Sequence, residues 1–229
     1  MTARLHFADA GEATDLAAFL ARLIHYDKAA AVRLQAAGDT LAVFGRPPSF
    51  EVLAVRTARL AKPFEHGLDT TLDVTVSAGE FLESVGESVE AVETRGVAAV
   101  PQAVTGPPWA GVLPPRGGWR VVEPGLPGMD AVRELVAAAV AEFKARVEEL
   151  APESRVRAEL DRVGREIWSR SIGGTGVPVR AVHAAQSLGF LRGDGLTLLS
   201  SGAWLRVRTA YGSVAVRRAG VGGLTVTPA

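Results

Sequence analysis

Apolar and polar residues alternate over residues 3–8 (Ala-Arg-Leu-His-Phe-Ala), and then the period changes: Leu16, Phe19, Leu20 and Leu23 stand at the three- and four-residue intervals of one helix face. This pattern predicts a strand followed by a helix, with Thr14 or Asp15 as its cap. Alternation returns over Ala31 to Gln35, Thr40 to Phe44 and Phe50 to Leu60, broken at Gly38-Asp39 and at Arg46-Pro47-Pro48. Leu72, Val74 and Val76 share one side of a further strand over 68–76, and Ser77 with Glu80 forms a capping box for a helix ending at Gly86. The first 86 residues thus read β-α-β-β-β-β-α, a helix-on-antiparallel-sheet unit.

Residues 94–129 break the pattern with seven prolines, among them Pro114 and Pro115, and with Trp109 and Trp119. Helical spacing resumes from about Met129 to Leu150. After Pro152 a second helix is expected over about Ser154 to Arg170, with Val156, Leu160, Val163 and Ile167 on one stripe. The two helices read as an αα-hairpin. Pro178 opens a third helix that runs to about Leu191. The chain then closes in a hairpin, Ala203–Thr209 against Val214–Arg218, with Val207 set opposite Val216 across a four-residue loop. The fold class is α+β. Its expected division is an acidic α+β part at 1–100, a Pro/Gly/Trp-rich connection at 101–128, and a basic helical part with the hairpin at 129–229.

Hydrophobic residues make up 48% of the 229 residues and charged residues 22%, ordinary values for a globular chain. Cysteine is absent, which removes disulfides, thiolate metal sites and cysteine nucleophiles. The N-terminus meets Asp9 and Glu12 before any apolar run, unlike a signal peptide, and charges interrupt the most apolar window, Val132 to Val147. A cytoplasmic protein without a membrane partner is expected. The zero net charge hides a division: residues 1–150 hold 14 Lys/Arg against 20 Asp/Glu, and residues 151–229 hold 11 against 5. Such asymmetry suits a polyanionic partner for the basic end, or attraction between the two parts.

Catalytic constellations are scarce. The cluster Gly173-Gly174-Thr175-Gly176 follows a helix, has the wrong spacing for a dinucleotide loop, and lacks a lysine for a nucleoside-triphosphate loop. It reads as a connector, with an isolated phosphate held by its N–H groups and Arg180 as the other possibility. His6, His25, His66 and His183 form no metal-binding or catalytic motif. His25-Tyr26-Asp27-Lys28 reads as a helix end complementing the dipole. Asp69 and Asp73 lie roughly 13 Å apart along a strand, too far to share a proton or metal. Glu83, Glu87, Glu90 and Glu93 form an acidic run, a solvated face. No catalytic residue, cofactor or metal ligand is therefore assigned, and the sequence points away from an enzyme.

Two surfaces remain. In the hairpin, Leu205, Val207, Val214 and Val216 face one way and Trp204, Arg206, Arg208 and Arg217 the other, a combination of phosphate contacts and a stacking ring that fits weak, sequence-tolerant nucleic-acid binding. The helix before it and the hairpin resemble the last helix and wing of a winged-helix domain, without the helix that precedes them there. The second surface is the loop of Trp109, Pro114, Pro115, Arg116 and Trp119. It either anchors the two parts or offers a polyproline segment to a protein partner. The order β-α-β-β-β-β-α resembles the half-repeat of sliding-clamp subunits in topology. That implies a protein-interaction or clamp-like assembly module as the alternative to nucleic-acid binding, with self-association among its outcomes; a small-molecule enzyme with an unrecognised pocket is the third reading.

Overall fold

The structure, a computed structural model, describes residues 2–90 and 96–218; Glu93 of the acidic run lies outside them. It is a mixed α+β fold with antiparallel sheets. The N-terminal stretch forms β1 (Arg4–His6), α1 (Ala10–Tyr26), β2 (Ala31–Ala37), β3 (Thr40–Gly45), β4 (Leu53–Arg59), β5 (Thr71–Ser77) and α2 (Ala78–Glu90) in the expected order. β6 (Val97–Ala99) and β7 (Arg120–Val121) follow, then α3 (Met129–Glu149), α4 (Arg157–Trp168), α5 (Val179–Ser187), β8 (Thr197–Ser201), β9 (Trp204–Thr209) and β10 (Gly212–Arg217).

Eight strands make one sheet in the order β5-β2-β3-β4-β10-β9-β8-β7, while β1 and β6 pair separately. The seam is β4 against β10, with Leu53–Val55 opposite Ser213–Ala215. On one side of the sheet Val32, Leu34, Val43, Ala54, Val207 and Val214 face the helices. α1 lies over β4 and α5 over β10, so a single apolar core runs across the seam. Phe19 of α1 stacks on Phe190 at 5.6 Å to close it. Among the described residues no helix is long and apolar enough to cross a membrane.

The other side of the sheet is crossed by the proline-rich segment. It starts at β5, where the Val104 N–H donates to the Thr75 carbonyl (2.9 Å), and reaches β8, where the Ser201 hydroxyl donates to the Gly117 carbonyl (3.2 Å). Between these points Pro114, Phe44, Val55 and Ala215 are buried. The middle of the sheet is therefore covered on both faces.

Several expectations need correction. The cap of α1 is Asp9, whose carboxylate accepts from the Glu12 N–H at 3.0 Å, because the helix starts one turn before the apolar stripe. The strand expected from Phe50 begins at Leu53. In the hairpin Val207 pairs with Val214, not Val216, and the turn has two residues, Ala210 and Tyr211. Gly212 permits this with a φ of +152°, at a position where a Cβ would sit 2.5 Å from the Phe190 ring. A shift of two residues preserves side-chain parity, so the faces stay as expected. The hairpin is not a free wing, since β10 is bonded to β4 and β9 to β8. β6, β7 and β8 were not foreseen.

Candidate functional site

Trp204, Arg206, Arg208 and Arg217 share the face of the sheet that lies away from the helices, but they do not form one open surface. Arg208 and Arg217 are exposed. Arg206 is half-buried, donates from Nε to the Ser213 hydroxyl (2.8 Å), and lies 5.6 Å from the Trp119 ring. Burial, and then the neighbouring Arg208, lower its pKa from the ordinary arginine value. Arg217 lies 5.9 Å over Trp204. Among the described residues none of these arginines meets a carboxylate, so the expected pairing with the acidic part is not what holds them.

The loop residues are likewise divided. Trp109 and Trp119 are half-buried, Pro114 is buried, and Pro115 and Arg116 are exposed, so the polyproline stretch is partly packed on the sheet. The Trp119 indole donates to the Pro115 carbonyl at 2.9 Å, which folds the loop on itself. The glycine cluster is an ordered turn rather than an open nest. The Gly176 N–H is spent on the Ser171 hydroxyl (3.1 Å), that of Val177 on the Thr175 hydroxyl (3.1 Å), and that of Thr175 on the Ile172 carbonyl (3.3 Å).

Arg180 stands apart from the other arginines, in the first turn of α5 on the helix side, and it leads to a cleft the sequence did not reveal. The connection from β3 to β4 turns beside the seam with two non-glycine residues in the left-handed region, Ser49 (φ 68°) and Glu51 (φ 52°). Such a conformation costs on the order of 1–2 kcal/mol per residue and marks a backbone fixed by its surroundings. Between them Phe50 is presented edge-on to His183, with centroids 5.2 Å apart. His183 stacks on Trp168 at 4.5 Å, and Trp168 tilts against Phe143 at 5.9 Å. Together these rings, with parts of α3, α4 and α5, bound a cleft of about 520 Å³.

Gly164 of α4 forms part of its floor. A Cβ there would lie 3.4 Å from Trp168, so the missing side chain leaves the ring accessible. Burial lowers the His183 pKa below its ordinary 6.5, which keeps the imidazole neutral at pH 7 and suits it to stacking. Charge at the cleft is unevenly paired. Arg157 meets Asp161 at 3.0 Å. Arg180 reaches Glu51 only at 3.6 Å and the Ser169 hydroxyl at 3.3 Å, and its Nε is buried without a partner among the described residues. Arg165 is exposed and meets no carboxylate among the described residues. Two signals could have pointed here: a glycine inside a strongly amphipathic helix, Gly164, and the Pro47-Pro48 pair, separated from Phe50 only by Ser49.

Among the described residues the five helices taken together are acidic, with fourteen carboxylates against eight Lys and Arg side chains, and Glu80, Glu83, Glu87 and Glu90 form an exposed stripe on α2. Among the described residues no group of three or more His, Asp or Glu side chains is placed to hold a metal ion.

Residues 1–111 match a family model described as a domain of unknown function (DUF8010), and residues 114–221 match a second, also described as a domain of unknown function (DUF8185). The two matches meet in the segment that crosses the sheet. No curated protein matches the sequence. Among solved structures, the chain is similar to the DNA polymerase sliding clamp of Pseudomonas aeruginosa. A structure with ligand shows 15% identity and a TM-score of 0.48, over 90% of this chain and 62% of the clamp chain. A second structure of that clamp shows 13% identity and the same TM-score, over 94% and 63%. This chain thus spans less than two thirds of the clamp's length.

Proposed function

We propose that this chain is a non-catalytic protein-interaction module, and that a short segment of a partner protein seats in the aromatic cleft between the 49–51 loop and helices α4 and α5. The observation that carries the reading is the strained loop. Two left-handed non-glycine residues hold Phe50 against His183 at the edge of a cavity large enough for two or three side chains. Exposed aromatic edges beside arginines are the groups that dominate recognition of protein segments.

Two features favour a protein partner over a nucleic acid. The helix layer, with its excess of carboxylates, repels a polyanion, and Arg206 of the expected basic face is held under Trp119. Weak nucleic-acid binding through Arg208 and Arg217 is the second reading, supported by their exposure on one face beside Trp204.

Gly164 supplies the test. Leucine is a far better helix former than glycine, so Gly164→Leu keeps α4 while its side chain fills the cleft. Random heptapeptides displayed on phage are selected on the wild type and measured on both proteins. Affinity at least tenfold weaker on the variant, with the circular dichroism spectrum retained, is expected. Selected peptides that bind both proteins equally would show that the cleft is not the docking site. Should the leucine variant lose its spectrum, Gly164→Ala makes the same comparison with a smaller obstruction.

A further inference from the structure

We infer that the segment seated in the cleft carries a carboxylate beside an apolar side chain, and that this carboxylate takes Arg180 in exchange for Glu51. The inference rests on the interaction reading above and adds the partner's chemistry. Arg180 is the reason. A guanidinium has five N–H donors in a rigid fork, and a side chain that is three-quarters buried normally satisfies most of them. Here Nε is buried without a partner among the described residues, Nη1 has one long contact to Ser169 at 3.3 Å, and Nη2 lies 3.6 Å from Glu51, beyond ordinary hydrogen-bond length. Arg180 lines the cleft, and with Nε closed to solvent the edge left for an incoming group is the Nη1–Nη2 pair, which has only these long contacts.

Glu51 is a weak occupant. Its side chain is 69% exposed and sits on a strained residue, so returning its carboxylate to water costs little. An incoming carboxylate that approaches the fork squarely makes two short charge-assisted bonds in place of one long contact. Arg165, exposed and unpaired among the described residues, adds a second cation at the same mouth, whereas Arg157 is already neutralised by Asp161. The apolar neighbour of that carboxylate meets Trp168 where Gly164 leaves the ring uncovered. Charge and shape therefore select one ligand class, an acidic residue adjacent to a leucine or aromatic residue. A free aryl acid shares this chemistry, and only the test separates the two sources.

The probes are an acetylated, amidated pentapeptide Ala-Leu-Phe-Asp-Ala, its counterpart with Asn for Asp, and hydrocinnamate. Binding is read from the amide signals of Gly164 and His183 and the indole signal of Trp168 in proton–nitrogen correlation spectra of the full chain. The Asp peptide is expected to shift these signals saturably and to bind at least tenfold more tightly than the Asn peptide. Arg165→Gln, at an exposed position, should reduce that preference. Glu51→Gln, which weakens the internal competitor, should raise affinity for the Asp peptide severalfold and leave the Asn peptide unchanged, a response a merely structural Glu51 would not give. Equal binding of the two peptides overturns the carboxylate inference and leaves the cleft reading standing. Shifts from hydrocinnamate alone overturn the peptide as the occupant. Signals unmoved by every probe count against both the inference and the cleft.

Discussion

Arg56 offers the sharpest test of how the helices are held to the sheet. Its position on β4 is opposite Val43, on the side that faces the helices, and it is only 7% exposed. Nη2 lies 3.1 Å from Asp15 and 3.8 Å from Glu12, both on α1, and Nε is buried without a partner among the described residues. The network extends outward, since Glu12 also meets Arg59 at 2.9 Å and Asp15 lies 3.9 Å from Arg192, which rests over Tyr211. A buried ion pair adds little net stability over an apolar replacement, but removing one partner leaves an uncompensated charge at a cost of about 3–5 kcal/mol. Asp15 is 37% exposed, so water reaches this pair in part and the lower end applies. Glu12→Gln with Asp15→Asn should therefore lose about 3 kcal/mol, or roughly 6–12 °C in Tm for a chain of this size. Arg56→Met keeps the aliphatic stem and should stay within about 1 kcal/mol of the wild type, or exceed it. Adding it to the double variant should recover most of the loss. Urea unfolding of the four proteins gives the comparison. A double variant that matches the wild-type midpoint, with Arg56→Met losing 3 kcal/mol, would refute the electrostatic account.

The remaining expectations concern the cleft and the sheet. Burial lowers the folded-state pKa of His183, so the folded form binds fewer protons than the unfolded chain; stability is full above pH 6.5 and declines as pH falls from there towards the lower folded value. His6 is shifted in the same direction, by burial and then by Lys62 and Arg4, so the diagnostic is the difference between wild type and His183→Phe, which should lose less stability between pH 7 and pH 5; parallel profiles would show that His183 does not titrate with unfolding. Trp119→Ala should cost about 2 kcal/mol, as expected for half of a tryptophan's area, and an unchanged urea midpoint would mean that the indole does not hold the crossing segment. Labelled single- and double-stranded oligonucleotides at low salt should show no anisotropy change that depends on Arg208 and Arg217; binding abolished by Arg208→Gln with Arg217→Gln would restore the nucleic-acid reading. Ser49→Gly relieves one left-handed residue without touching the Glu51 carboxylate and should raise stability by about 0.5 kcal/mol while weakening peptide binding, and unaltered binding would separate the strain from the cleft.

The order β-α-β-β-β-β-α was legible because its strands and helices carry clean periods of two and of three to four. The hairpin faces were legible for the same reason: an error of two residues in register leaves every side chain on its own side. β8 escaped because its five residues carry too short a pattern, and β6 and β7 are shorter still. Arg56 shows a different limit of pattern reading. Read against alternating strands, an arginine between Val55 and Thr57 marks the solvent side, but β4 is covered on both sides, so alternation no longer reports burial. The cleft was not legible as a site, because its two local signals, Gly164 and the Pro47-Pro48 pair, lie far apart in the sequence. Phe50, Phe143, Gly164, Trp168, Arg180 and His183 come from four elements that meet only after β4 has paired with β10, and a left-handed serine or glutamate leaves no mark in composition or period.

That dependence on the seam explains why the unusual features gather in one place. The seam joins β4 to β10 through three residues each, fewer than the six of the neighbouring pairs β3–β4 and β9–β10. Joining a short pairing to a continuous core requires that groups near it be fixed by side chains rather than by the ladder. On the helix side this falls to Arg56 with its two carboxylates and to the stacked Phe19 and Phe190. On the opposite side it falls to the crossing segment. The 46–52 connection is the part of this region that is neither laddered nor fully buried, since Phe50 is half-exposed and Glu51 largely so. Strain that bought only packing would be expected to end in a buried ring. Here it ends in an accessible ring beside an under-satisfied guanidinium, and that arrangement is costly to the folded chain alone unless something else completes it.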